Sequence, residues 1–232
     1  MRTKRTTWPP DAATIDRLVY ELRSDLLKGV NTAVMIHQAA GNGLAQLGNF
    51  FDLLTDAERA ELEAPDLHPG RASAIESFFR AITPSDVNSM GVILLATTME
   101  RFLGILLTEA VRSGLCEPSK GNVQEVVRSH MRHGLSHQLA VIMPITDLAQ
   151  LHCFPKYREL RATRNAIVHT DGVATSQYVD QTGPEARGGV GESLEISEAY
   201  FRAAVNVCME LWGETDTDIR RKGEKVVILP DA

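Results

Sequence analysis

Cysteine is scarce in this chain. Cys116, Cys153 and Cys208 are widely spaced and odd in number among 232 residues. That excludes a disulfide framework and a CxxC metal site, and it fits a reducing, cytoplasmic setting. Basic charge is also short: 24 Lys and Arg face 30 Asp and Glu, a formal net charge of -6. Phosphate affinity comes mainly from cations that release counterions, so a general basic nucleic-acid surface is excluded and any such site must be local. Long apolar runs are missing too. The most apolar stretch, Val87 to Met99, is interrupted by Glu100 and Arg101, short of the roughly 20 residues a membrane helix needs. The basic start Met1 to Arg5 leads into Trp8-Pro9-Pro10-Asp11 and not into an apolar signal-peptide core, so no membrane association is expected. There is no internal repeat and no low-complexity segment.

What is present is an ordinary globular composition, 44% hydrophobic and 23% charged, with enough apolar residues to build a core. Helical periodicity dominates. Ile15, Leu18, Val19, Leu22 and Leu26 recur on one face of a first helix that is expected to fray near Gly29 and to break around Gly41-Asn42-Gly43. Thr55 and Glu58 are spaced as a capping box for a short helix, and Pro65 to Arg71 reads as a linker. Thr83-Pro84-Ser85-Asp86 opens the strongest helix, running to Ser113 before a stop at Gly114 and apolar nearly all round, which makes it the buried centre. Asn122 with Glu125 starts another helix that ends near Gly134.

Pro155 then begins a helix that exits at Thr170-Asp171-Gly172. Residues 173 to 195 read as a loop or small hairpin with a β-like stretch at Tyr178 and Val179. Ser197 caps a last helix with Phe201, Ala204, Val205, Cys208, Met209 and Trp212 on its packing face. Arg220-Arg221-Lys222 followed by Val226 to Leu229 is expected to be an edge strand or an interaction tail. The expected fold is thus all-α, a helical bundle spanning residues 86–218, with an N-terminal helical extension (1–85) and a C-terminal tail (219–232).

One helix carries the chemistry. At about 100° per residue, Arg158, Arg161, Asn165 and His169 share a face, with Leu160, Thr163 and Ile167 roughly opposite and Arg164 at the flank. Guanidinium groups match phosphate oxygens bidentately, and imidazole exchanges protons near neutral pH. Together they suit cleavage of a phosphodiester by its neighbouring 2′-hydroxyl, with cations stabilising the charge that builds on the phosphoryl oxygens. No metal or cofactor is needed in principle.

The string Leu160-Arg161-Ala162-Thr163-Arg164-Asn165-Ala166-Ile167-Val168-His169, followed by Asp171-Gly172, resembles the signature of the HEPN superfamily: an Arg, a polar residue, three more, then His. The likeness extends to the long apolar helix bearing Glu100 and to the capped last helix, covering roughly Asp86 to Trp212. It implies an up-and-down bundle that dimerises so that two motifs form one cleft for metal-independent RNA cleavage. On that resemblance Arg164 binds phosphate, Asn165 orients the site, and His169 acts as acid or base to leave a 2′,3′-cyclic phosphate. Arg158 and Arg161 supply further RNA contacts. Relatives are often toxins or antiviral effectors with an antitoxin or regulatory protein as partner. Many carry a tyrosine two residues after the His. This chain has Asp171 there, so control by modification of that tyrosine is not supported.

Plainer readings stand beside this one. Arg164 could pair with an acid such as Glu100, with His169 only favouring the dipole at a helix C-terminus. The whole domain could be a catalytically silent HEPN-like module that binds a protein or nucleotide, or an unrelated helical protein. His130, His133 and His137 have metal-ligand spacing on an unbroken helix, but Gly134 interrupts it, so solvated histidines are expected instead. Gly41-Asn42-Gly43 lacks the strand and the Lys-Ser/Thr of a phosphate loop, and Cys153 beside Phe154 reads as a buried thiol.

Overall fold

The computed structural model describes residue 8 and residues 11–53, 82–116 and 122–227. Among them the protein is all-helical, a bundle of seven α-helices: α1 (Ala12–Leu53), α2 (Pro84–Arg112), α3 (Val123–Arg132), α4 (Leu135–Ile142), α5 (Phe154–Thr170), α6 (Ser176–Thr182) and α7 (Glu198–Val227). The extended pairing present is a single isolated bridge between Val173 and Ser193.

The centre is α2, which touches α1, α3, α4, α5 and α7. It starts as its sequence demands. Thr83 and Asp86 form a reciprocal capping box, and Pro84 occupies a first-turn position. Leu95, Met99, Leu103, Leu106 and Leu107 are wholly buried along it, each contributing on the order of 1.5–3 kcal/mol of transfer free energy. By length and apolar composition α2 could cross a membrane, yet over half of its most apolar window is buried within the bundle. Counting only Val87 to Met99 underestimated this helix, because the apolar pattern resumes at Phe102 beyond Glu100 and Arg101.

Three expectations need correction. First, α1 neither frays at Gly29 nor breaks at Gly41 and Gly43 but runs through all three. A Cβ at Gly29 would lie 2.3 Å from Thr98 side-chain atoms, so this glycine lets α1 and α2 approach closely. Leu18, Leu22, Leu26, Val30 and Ala33 of α1 belong to the same core as α2 and α7. Second, Tyr178 and Val179 are helical, in α6, whose first turn is capped by the Thr175 hydroxyl. Third, α7 continues through Arg220-Arg221-Lys222 to Val227 where a strand or tail was expected. Its arginines pair along the helix: Arg220 bonds Asp216 at 2.7 Å, and Arg221 bonds Asp218. The helix opened at Asn122 ends just before Gly134 as expected, and a further short helix, α4, follows it directly with Gly134 at the joint. The short helix expected at Thr55 and the linker at Pro65 to Arg71 lie outside the described residues.

Candidate functional site

The helix that carries the motif is α5. Pro155 sits in its first turn, and the Cys153 N–H donates to Glu214 Oε2 at 3.3 Å, tying its start to α7. Leu160 and Thr163 are buried and Ile167 packs against the core, so the opposite face is presented outward. At its end Asp171 takes a left-handed conformation (φ 50°, ψ 38°), followed by Gly172 at φ 77°. The N–H groups of Asp171 and Gly172 both return to the Ala166 carbonyl, the latter at 3.0 Å. This tight exit leaves His169 in the last turn, exposed.

Two recesses open along this face. One, of about 320 Å³, is lined by Asn165, His169 and Thr170 of α5 and by Thr175, Gln177, Tyr178 and Gln181 at α6. The other, of about 420 Å³, is lined by Arg158, Arg161 and Asn165, by Asp180 and Gln181, and by Gly134, Leu135 and Ser136 at the start of α4. Asn165 and Gln181 line both. The result is a trough with an imidazole at one end and two guanidinium groups at the other. Neither Arg158 nor Arg161 joins an ion pair among the described residues. Arg158 Nε is shielded from solvent and has no hydrogen-bond partner among the described residues.

Arg164 stands apart from His169. Five residues on a helix correspond to about 140° of rotation, and Arg164 faces α2, where its Nη2 lies 4.0 Å from Glu100 Oε2. That is well beyond the roughly 2.7–2.9 Å of a charge-assisted hydrogen bond, and both side chains are part-exposed, so the contact holds Arg164 weakly. The firmer link is to Asn165, whose Oδ1 accepts from Arg164 Nη1 at 3.0 Å. Of the five sequence-predicted residues, the structure therefore brings Arg158, Arg161, Asn165 and His169 to one trough and puts Arg164 at its edge. Val168 and Val173, close in the chain to His169, are exposed, as is Val190. A hydrogen bond from Gly191 N–H to the Ala174 carbonyl at 2.8 Å holds the last two near each other.

A buried polar hub behind the trough was not legible in the sequence. Glu159 Oε1 accepts from Thr163 Oγ1 (2.6 Å), Tyr178 Oη (2.9 Å) and Arg187 Nε (2.8 Å), while Oε2 accepts from Tyr200 Oη (2.8 Å). The Arg187 guanidinium also lies 3.6 Å over the Tyr200 ring. Burial, reinforced by the Glu159 charge, raises the Tyr200 hydroxyl well above its ordinary pKa. For Tyr178 burial again leads and Glu159 adds to the rise. Both phenols therefore stay protonated donors. Since Tyr178 is also a wall of the His169 recess, the hub fixes that wall. A sequence signal existed only in the i,i+4 pair Glu159 and Thr163; the other members, Tyr178, Arg187 and Tyr200, come from α6, a loop and α7.

Burial raises the Cys153 thiol to about 12, helped by the neighbouring Glu214 charge, and burial alone raises Cys208 to about 12. Neither is a thiolate nucleophile near neutral pH. Gly134 does separate α3 from α4, but the turn folds the histidines back together. His130 Nδ1 lies 2.9 Å from His137 Nε2, and the His133 ring centroid is 4.5 Å from that of His137. Partial burial, then the neighbouring His137 and His133, lower the His130 pKa. No group of three or more His, Cys, Asp or Glu among the described residues is arranged to hold a metal ion.

No family model matches the chain, and no curated protein and no solved structure matches it.

Proposed function

We propose that this protein is a metal-independent endoribonuclease of the HEPN type, working as a homodimer on RNA. The observation that carries the reading is the pair of adjoining recesses that share Asn165 and Gln181 and are lined by His169 in one and by Arg158 and Arg161 in the other, on a protein of net charge -6. Local basic groups beside an exposed imidazole are what an acidic protein needs to engage one phosphodiester. In the proposed reaction the 2′-oxygen loses its proton to a base and bonds to phosphorus. The bond to the 5′-oxygen breaks, that oxygen takes up a proton, and a 2′,3′-cyclic phosphate remains. His169 performs one of the proton transfers, Arg158 and Arg161 hold flanking phosphates, and Arg164 stabilises the phosphoryl charge.

Because Arg164 and His169 diverge on one helix, the homodimer is part of the proposal: one chain's His169 meets the other's Arg164. The exposed valines near His169 offer apolar surface for such a contact. The biological setting we infer is toxin–antitoxin, antiviral or stress-related, with an antitoxin or regulatory protein as a second partner and a cytoplasmic location. The contact between Arg164 and Glu100 favours a second reading, a silent HEPN-like module that binds a protein or nucleotide.

The test is incubation of purified protein with labelled RNA in EDTA, alongside His169→Ala and Arg164→Ala. Cleavage lost in both variants supports the enzyme. Absence of cleavage in wild type, with dimers intact, favours the silent module. Arg158→Ala and Arg161→Ala should each weaken RNA binding and lower the salt slope by about one.

A further inference from the structure

We infer that the elbow between α3 and α4 is a binding site for a divalent transition-metal ion of the zinc class, with His130 Nδ1 and His137 Nε2 as its two protein ligands. Nitrogens bound to one zinc at about 2.0–2.1 Å, subtending about 90–110°, lie roughly 2.8–3.4 Å apart. The observed 2.9 Å separation falls within that range. Both nitrogens are therefore already at the spacing that two ligands of one ion require.

Three features set this pair apart from two histidines that happen to be near neighbours. They sit on different helices, seven residues apart, and their rings are stacked with centroids 5.2 Å apart and planes 21° from parallel. The elbow holding them is fixed: Gln138, buried, donates from its side-chain amide to the carbonyls of Met131 at 3.1 Å and His133 at 3.0 Å. Finally, the pair lies at an accessible surface, His137 exposed and His130 half-buried, so hydrated metal can enter and water can complete the coordination shell. In the ligand-free pair the two nitrogens share one proton. On binding, that proton moves to the far nitrogen of the same ring, so both rings present lone pairs without net proton release. Imidazole suits zinc, nickel and copper, whereas magnesium and calcium prefer oxygen.

The site has a structural consequence. Gly134, Leu135 and Ser136, which join the two ligands' helices, line the recess containing Arg158 and Arg161. An ion clamping the elbow braces that wall and takes no part in bond breaking.

The experiment is calorimetric titration of the full chain, free of any histidine tag, with zinc chloride and separately with magnesium chloride. The expected result is saturable one-to-one binding of zinc and none of magnesium. His130→Ala and His137→Ala should each weaken zinc binding at least about tenfold, or 1.4 kcal/mol, while His152→Ala, a histidine outside the elbow, leaves it unchanged. Circular dichroism shows whether each variant is folded, and His130→Gln provides a second folded variant. Lack of saturable zinc binding, or binding equal in wild type and both ligand variants, overturns the proposal. Either outcome is independent of RNA cleavage.

Discussion

Removing the Glu159 carboxylate tests the hub that shapes the trough. In Glu159→Ala, Tyr178, Tyr200, Thr163 and Arg187 all lose their acceptor in a buried setting. Breaking a buried ion pair from one side costs about 3–5 kcal/mol, because the remaining charge is left uncompensated. Arg187 keeps 25% of its side chain exposed and a bond to the Glu195 carbonyl at 2.7 Å, so the lower end, about 3–4 kcal/mol, applies. The four hydrogen bonds share one acceptor group and are not additive. For a chain of 150–250 residues each kcal/mol shifts Tm by roughly 2–4 °C, giving a fall of about 6–16 °C. Glu159→Gln retains an oxygen acceptor and can donate to Tyr200, so its loss should be about half as large. Differential scanning calorimetry measures both. A fall below about 3 °C for Glu159→Ala, or an equal fall for the two variants, refutes the view that a charged carboxylate organises this region.

Other consequences follow from single positions. Gly29→Ala should destabilise by about 1–3 kcal/mol through the clash with Thr98, whereas Gly104→Ala, in α2 with nothing within 4 Å, should stabilise by about 0.5–1 kcal/mol; urea midpoints of opposite sign check this. Asp171→Gly should raise stability by roughly 0.5–1 kcal/mol, since Asp171 is held at φ 50°, measurable as a higher Tm. At Asp218, desolvation pushes the pKa up, but bonds from the Asp147 N–H and Arg221, the Lys222 charge and the Thr146 hydroxyl outweigh it, so the net shift is downward from 3.8. A depressed carboxylate contributes stability above its unfolded pKa and loses it as pH falls through the folded one. Asp218→Asn should therefore cost stability at neutral pH and flatten the decline below about pH 3.8, as read from urea unfolding across pH.

The large elements were legible because their signals are local. Thr83 with Asp86, Asn122 with Glu125, Pro155 and Ser197 mark helix starts through side chains within one turn, and the outward face of Arg158, Arg161, Asn165 and His169 follows from helical period alone. What escaped the sequence is set by distant partners. Gly29 reads as a breaker until Thr98 is placed against it. The helix α6 was hidden because Tyr178 and Val179 favour strands locally, while Tyr178 is held by Glu159 from α5. Gly134 looked like a barrier between histidines, yet the turn it allows brings His130 and His137 together. Likewise the wall of the trough formed by Gln177 and Gln181 could not be inferred without knowing where α6 packs.

If His169 and its basic neighbours cut RNA without a metal, as proposed, the ends of the products reveal it. Wild-type protein in EDTA should yield fragments ending in 2′,3′-cyclic phosphate and 5′-hydroxyl, and His169→Ala, folded and equally dimeric, should yield none. Fragments produced equally by His169→Ala, or ends carrying 5′-phosphate and 3′-hydroxyl, would contradict it.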